Sequence, residues 1–221
     1  MRFDWNWAFA VDIAPTLVAA LRITILATLL GSVLAMMLGL PLALASLSRS
    51  AWLRRPARAV VEVVRGTPLL IQLYLLFYVL PGAGIRLDPL TTGILALGLH
   101  YGAYTADIYR AGIEAVPAGQ RDAGLALGFS RPHLFFRIVL PQALPPVLPA
   151  LGNCVIAMFK DTPLLSTITV VELLNAAKNV GAETFRYLEP FTIVGVLLLV
   201  CSLAAGALIR QLEGRMERRP A

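Results

Sequence analysis

Lys160 and Asp161 stand side by side at the end of an apolar run, and Thr162 follows them. An ionisable side chain at membrane depth costs at least ~2.5 kcal/mol on insertion scales, so it usually faces a polar cavity or a partner. An adjacent ammonium and carboxylate could hold the two ends of a small zwitterion through charge-assisted hydrogen bonds, which strengthen where water is excluded. Thr67, beside Arg65 and Gly66, opens a second uncharged run, and His100, Tyr101, Tyr104 and Asp107 lie on a third. Each group also has a plainer reading. Lys160 can snorkel to the outer interface, or pair with Asp161 to hold the segment that follows. Asp107 with Arg110, and Glu62 with Arg65, are spaced to pair on one helix face. His100 suits a hydrogen bond between packed helices, and Tyr74 and Tyr78 suit interfacial or packing roles. Glu172, Asn175 and Lys178 read as the solvated face of an outer amphipathic helix.

Other chemistries find little support. The phosphate loop GxxxxGK[ST] is missing from the sequence, so the chain is not itself a P-loop ATPase. No Ser/His/Asp constellation stands out, and His100 and His133 are the only histidines, too few for a metal centre to be expected. Cys154 and Cys201 both lie in apolar runs and read as small buried apolar residues. No cofactor of the chain's own is expected.

These residues must be positioned by elements that live in lipid. Of the 221 residues, 58% are hydrophobic and only 14% charged, with a mean hydropathy of +0.75. Soluble domains carry about 25% charged residues. An all-α integral membrane protein is therefore expected, a single domain over 1–221. The net charge of +6 fits arginine-rich cytoplasmic loops rather than nucleic acid. The N-terminus lacks the layout of a signal peptide, and Trp5 and Trp7 read as interfacial anchors.

A hydrocarbon core ~30 Å thick needs about 20 apolar residues of helix. Five uncharged runs qualify: Ile23–Ser48, Gly66–Ile85, Pro89–Ala106, Ile138–Phe159 and Pro190–Ile209. The second is expected to extend backwards through residues 59–64. In the fourth, the first two or three of Pro141, Pro145, Pro146 and Pro149 are expected before the helix or in its first turn. Thr162–Val171 is too short to span and reads as a re-entrant or interfacial piece. Twelve arginines fall in the 49–58 loop, the 110–137 loop and the C-terminal tail, against Arg2, Arg86, Lys178 and Arg186 on the other side. That asymmetry predicts the N-terminus outside and the C-terminus inside.

The loop between the third and fourth spans, at about 110–141, carries more signals than a linker needs. Asp122 to Leu127 favours helix, Gly128 offers a stop, and Ser130 with Pro132 opens a second helix. Leu134, Phe135, Ile138 and Val139 recur at helical spacing. Two short helices bent at Gly128 could dock into a groove on a partner. The series Asp122, Ala123, Gly124, Gly128, Phe135, Ile138, Leu140 and Pro141 resembles the EAA motif of bacterial ABC importer permeases, with Asp in place of Glu and Gly in place of the second Ala. The stretches RGTPLLIQLYLLFYVLP at 65–81, HYGAYTADIYRAGIEAVPAGQ at 100–120 and FKDTPLLSTITVVELL at 159–174 are similar to the polar amino-acid uptake permeases. The variant KDTPL, with Pro163, and ETFRYLEP at 183–190 are similar to permeases for ectoine and hydroxyectoine.

The resemblance covers roughly residues 15–215. It implies an ABC type I importer permease in the bacterial inner membrane. Expected partners are a second permease subunit (identical or homologous), two cytosolic ATPase subunits that hydrolyse the ATP, and an outer solute-binding protein. It makes the 110–141 loop the ATPase-coupling element and places Lys160, Asp161 and Thr162 along the solute route; Thr67, from the second run, is expected to face them. The rival reading is a stand-alone secondary transporter or channel. Five spans, no detected inverted repeat and a large docking loop count against it.

Overall fold

A computed structural model describes residues 4–217, so Arg2, Arg218 and Arg219 of the orientation argument lie outside the described residues. All regular elements among the described residues are helical. Helix α1 runs Trp7–Ser46 and α2 runs Ala51–Gly66. Helix α3, Leu69–Tyr74, continues through a π turn, Leu75–Val79, and a 3-10 turn, Leu80–Ala83. Helix α4 spans Pro89–Ala115, α5 Ala118–Ala126 and α6 Arg131–Leu134. A π turn, Phe135–Val139, joins α6 to α7, Leu140–Asp161, which gives way to a 3-10 segment, Thr162–Ile168. Helices α8, Leu173–Thr184, and α9, Leu188–Glu217, complete the chain.

By length and composition α1, the run Arg131–Ile168 and α9 can each cross a membrane, and α2 with α3 would make a fourth, bent crossing. Helix α4 has 27 residues, about 40 Å, which is also long enough. It is more polar because protein, not lipid, surrounds it: α1, α2 and α7 all pack on it.

The centre is the pairing of α1 with α4. Gly31, Ala35 and Gly39 recur every fourth residue on α1, and Gly98 and Gly102 do so on α4. A Cβ on Gly98 would lie 2.4 Å from Leu34 Cδ2, and one on Gly39 would lie 2.0 Å from Thr105 Oγ1. Small residues thus let the two backbones approach, as membrane helix pairs require. The Thr105 hydroxyl donates to the Ala35 carbonyl at 2.8 Å across the contact. The contacts advance in step along both helices, so α1 and α4 run parallel. Gly112 meets Val147 while Tyr101 meets Asp161, and Gly152 meets Ile209 while Gly206 lies near Ile156, which sets α7 antiparallel to α4 and α9 antiparallel to α7. Asn6, Asp88 and Glu189 therefore mark one end of the molecule and Gly128 the other. At the first end, the Asn6 N–H donates to Glu189, which also pairs with Arg186.

Four expectations are corrected. The first helix extends well before the uncharged run Ile23–Ser48: it begins at Trp7 and carries Asp12 and Arg22 within it. Residues 59–64 do not continue the second span as one straight helix. Pro68 holds Thr67 extended (φ −107°, ψ 136°), and α2 meets the following helix at 101°. Pro145, Pro146 and Pro149 lie inside α7, and only Pro141 sits in its first turn. That helix loses the N–H donors to the carbonyls of Pro141, Gln142 and Pro145, and its close packing at Gly112 and Gly152 holds it regardless. Glu172 is not on a solvated face: it is fully buried and caps α8, accepting from the N–H groups of Leu174 and Asn175, both at 2.8 Å.

Candidate solute path and coupling loop

Two adjoining cavities of about 430 and 450 Å³ open where the α2–α3 bend, α4 and α7 converge. They share Arg65, His100, Tyr104 and Asp161. Asp161 ends α7 because Thr162 and Pro163 start the 3-10 segment, and its carboxylate accepts from Tyr101 Oη at 2.7 Å. Tyr101 lies twelve residues beyond the start of α4, about 18 Å along it, so this contact sits mid-helix, not at a membrane surface.

Thr67 lines the second cavity from the bend. Its hydroxyl is in contact with the carbonyls of Val63 and Val64 at 3.0 and 3.1 Å, and accepts from Gln72 Nε2 at 2.7 Å. Gln72 also donates to the Val64 carbonyl at 2.8 Å, while its own carbonyl oxygen meets His100 Nδ1 at 3.3 Å. One amide thereby ties the bend to α4. Arg65, the last basic residue of α2, pairs with Asp107 and lies 5.0 Å over the Tyr104 ring. Asp107 also takes Arg110 at 3.0 Å, and Arg110 reaches Glu114 at 3.2 Å.

The sequence candidates separate here. Asp161 and Thr67 come together on one cavity wall. Thr162 is buried and spends its hydroxyl on the Phe159 carbonyl at 2.7 Å. Lys160 is exposed and lines neither cavity, because the next position on the helix turns it away from Asp161. Arg65 bridges to Asp107 rather than to Glu62. Gln72 was missed, although a lone amide in an apolar run was its visible signal.

At the Gly128 end, α5 stops in a complete reversal. The Gly128 N–H donates to Leu125 and the Phe129 N–H to Gly124, both at 3.0 Å, with Gly128 at φ +79°. That left-handed conformation is why a glycine stands there. Gly124 is buried against Leu134 and Ile138, where a Cβ would lie 2.4 Å from Leu134 Cδ1. The glycine that departs from the EAA pattern therefore lets α5 close onto the turn after α6. Phe135 packs inward against Ile113, Val116, Val139 and Ala143. Asp122 and Pro141 are exposed, Ala123 is exposed, and Ile138 and Leu140 are half-buried. Leu125, Leu127 and Phe136 leave an apolar surface open.

Residues 31–218 match the family model of the binding-protein-dependent transport system inner membrane component. The chain belongs to that family. It is a multi-pass permease subunit, the transport component rather than the hydrolytic one, of a system that works with ATPase subunits and a binding protein. The relative "Probable amino-acid ABC transporter permease protein y4tG" of Sinorhizobium fredii is 43% identical over 98% of this chain and 96% of its own length. The glutamine transport system permease protein GlnP of Escherichia coli is 35% identical over 98% of this chain and 99% of its own. Among solved structures, one titled as an amino acid ABC transporter with histidines is 33% identical and superposes with a TM-score of 0.91, covering 96% of this permease and 100% of that chain.

Proposed function

We propose that this permease forms the path of an importer for a polar amino acid or a similar small zwitterion, and that the solute binds in the paired cavities between the α2–α3 bend, α4 and α7. The observation that carries the reading is the pairing of opposite charges on one cavity wall: the Asp161 carboxylate and the Arg65 guanidinium, with Tyr104 between α2 and α7. Asp161 suits the solute's cation and Arg65 its carboxylate, each as a charge-assisted hydrogen bond. Thr67 adds a polar edge from the bend. Lys160, exposed one residue from the cavity, belongs to the wider route between subunits. The names of the relatives support an amino-acid-like solute. Within that class, what supports a compatible solute such as ectoine is the resemblance of KDTPL, whose Pro163 lies in the 3-10 segment beside Asp161, and of ETFRYLEP to ectoine permeases.

The assembly we infer pairs two permease subunits with two ATPases and an outer binding protein. The N-terminus lies outside and the Gly128 end inside. There Asp122, Ala123, Gly124, Gly128, Phe135, Ile138, Leu140 and Pro141 build the coupling surface, and ATPase closure on it drives the path from outward to inward exposure. The test is uptake per assembled complex for Asp161→Asn. Reduced uptake or altered solute preference with intact assembly supports the site. Unchanged rate and preference remove it.

A further inference from the structure

Helix α2 is not part of a straight span. It turns through 101° before α3, so it lies across the direction of the membrane-crossing helices. Its sixteen residues fall into three faces. Ala57 and Val61 are buried against α1 and α4, and Val64 packs beside them. Arg54, Arg55, Arg58, Glu62 and Arg65 form a second, mainly basic face. The third face is apolar and uncovered: Trp52 is 90% exposed, Val63 64% and Leu53 57%. Trp52, Arg55 and Pro56 also wall a cleft of about 450 Å³ at the border between the basic and apolar faces. Arg54 is held by the carbonyls of Ser48 and Arg49, but no ion pair engages Arg55 or Arg58 among the described residues. No acidic residue occurs between Leu47 and Val61.

From this geometry we infer that α2 is an interfacial helix whose Trp52–Arg55–Pro56 cleft, with Arg58 beside it, binds the headgroup of an anionic phospholipid. An exposed apolar face next to a basic one is the signature of a helix lying in the membrane interface. Indole rings favour that depth, with the ring in the acyl boundary and the N–H towards headgroups. The uncompensated arginines supply the charge complementarity, and a guanidinium matches a phosphate bidentately. The helix leads directly into Arg65 and Thr67 at the solute cavity, so a lipid seated on it would bear on the position of the bend. The inference concerns α2 alone and does not depend on which solute the permease carries.

Trp52 makes the binding measurable. The permease with its ATPase partner is placed in nanodiscs of phosphatidylcholine containing brominated phosphatidylglycerol or, at the same fraction, brominated phosphatidylcholine. Fluorescence quenching is compared with that of Trp52→Phe, which isolates the signal of Trp52 from that of Trp5 and Trp7. The expected result is stronger quenching by the anionic lipid, with its preference falling about fivefold for each of Arg55→Gln and Arg58→Gln, and falling again at high salt. Equal quenching by the two lipids, or a preference that survives the double arginine change, would overturn the headgroup site. So would a Trp52 quenched by neither lipid, which would mean that a protein neighbour covers this face.

Discussion

At the scale of single residues, Asp161 has one hydrogen-bond donor on it, the Tyr101 hydroxyl, and otherwise faces the cavity. Replacing a charged partner in a hydrogen bond typically costs ~1.5–3 kcal/mol. Asp161→Asn should therefore weaken apparent solute affinity by about 10- to 100-fold, with basal ATPase activity and assembly retained. Tyr101→Phe removes only the supporting hydroxyl and should cost a few-fold. Radiolabelled uptake, normalised to assembled complex, measures both. Asp161 and Thr67 were legible in the sequence because a polar side chain in an apolar run needs a reason. Arg65, His100 and Tyr104 were visible singly, but their convergence was not. It depends on α4 meeting α7 and on the bend at Pro68, contacts between residues tens of positions apart. Lys160 stands outside the cavity because successive helical residues point about 100° apart, which adjacency in the sequence does not reveal.

At the scale of elements, the four-residue spacing of Gly31, Ala35, Gly39 and of Gly98, Gly102 dictates how close α1 and α4 come. A Cβ on Gly39 would also lie 2.9 Å from the backbone nitrogen of Ala106, which no side-chain rotation relieves. Gly39→Val should destabilise the fold by ~1–3 kcal/mol, read as a lowered thermal midpoint in detergent, while Gly66→Ala, which meets open space, should not lower it through any clash. The coupling loop makes a different demand. A Cβ at Gly128 meets nothing, so the constraint there is its positive φ, worth ~1–2 kcal/mol for any other residue. Gly128→Arg adds bulk to the surface offered to the ATPase. It should abolish solute-stimulated ATP hydrolysis while the permease still inserts and retains its fold. Asp122→Ala, at an exposed position, should be mild. The two short helices and the hinge between them were readable from Gly128, Ser130 and Pro132, since caps and turns are local. The span boundaries were not. Composition reports what lipid sees, and α4 and the first turns of α1 are shaped by protein neighbours instead.

At the scale of the whole molecule, the helices order the ends: Asn6, Asp88 and Glu189 on one side, Ser50 and Gly128 on the other. The arginine asymmetry predicts that the Gly128 side faces the cytoplasm. Single cysteines placed at Arg54 or Ser130, in a background without Cys154 and Cys201, should resist an impermeant thiol reagent in intact cells and react after permeabilisation. Efficient labelling of either in intact cells would invert the orientation. The all-helical membrane fold was evident from composition, because so few charges cannot coat a surface of this size. The 40-residue length of α1 and the transverse α2 came only from packing. The account's central claim is that this permease, driven by a partner ATPase, moves a small zwitterion past Asp161 and Arg65. The most direct measurement is ATP-dependent uptake of labelled polar amino acids and ectoine into proteoliposomes holding the permease, its ATPase and its binding protein. The account predicts accumulation that requires both ATP and the binding protein and that Asp161→Asn strongly reduces without loss of assembled complex. Uptake independent of ATP and the binding protein, or uptake indifferent to Asp161→Asn, would contradict it.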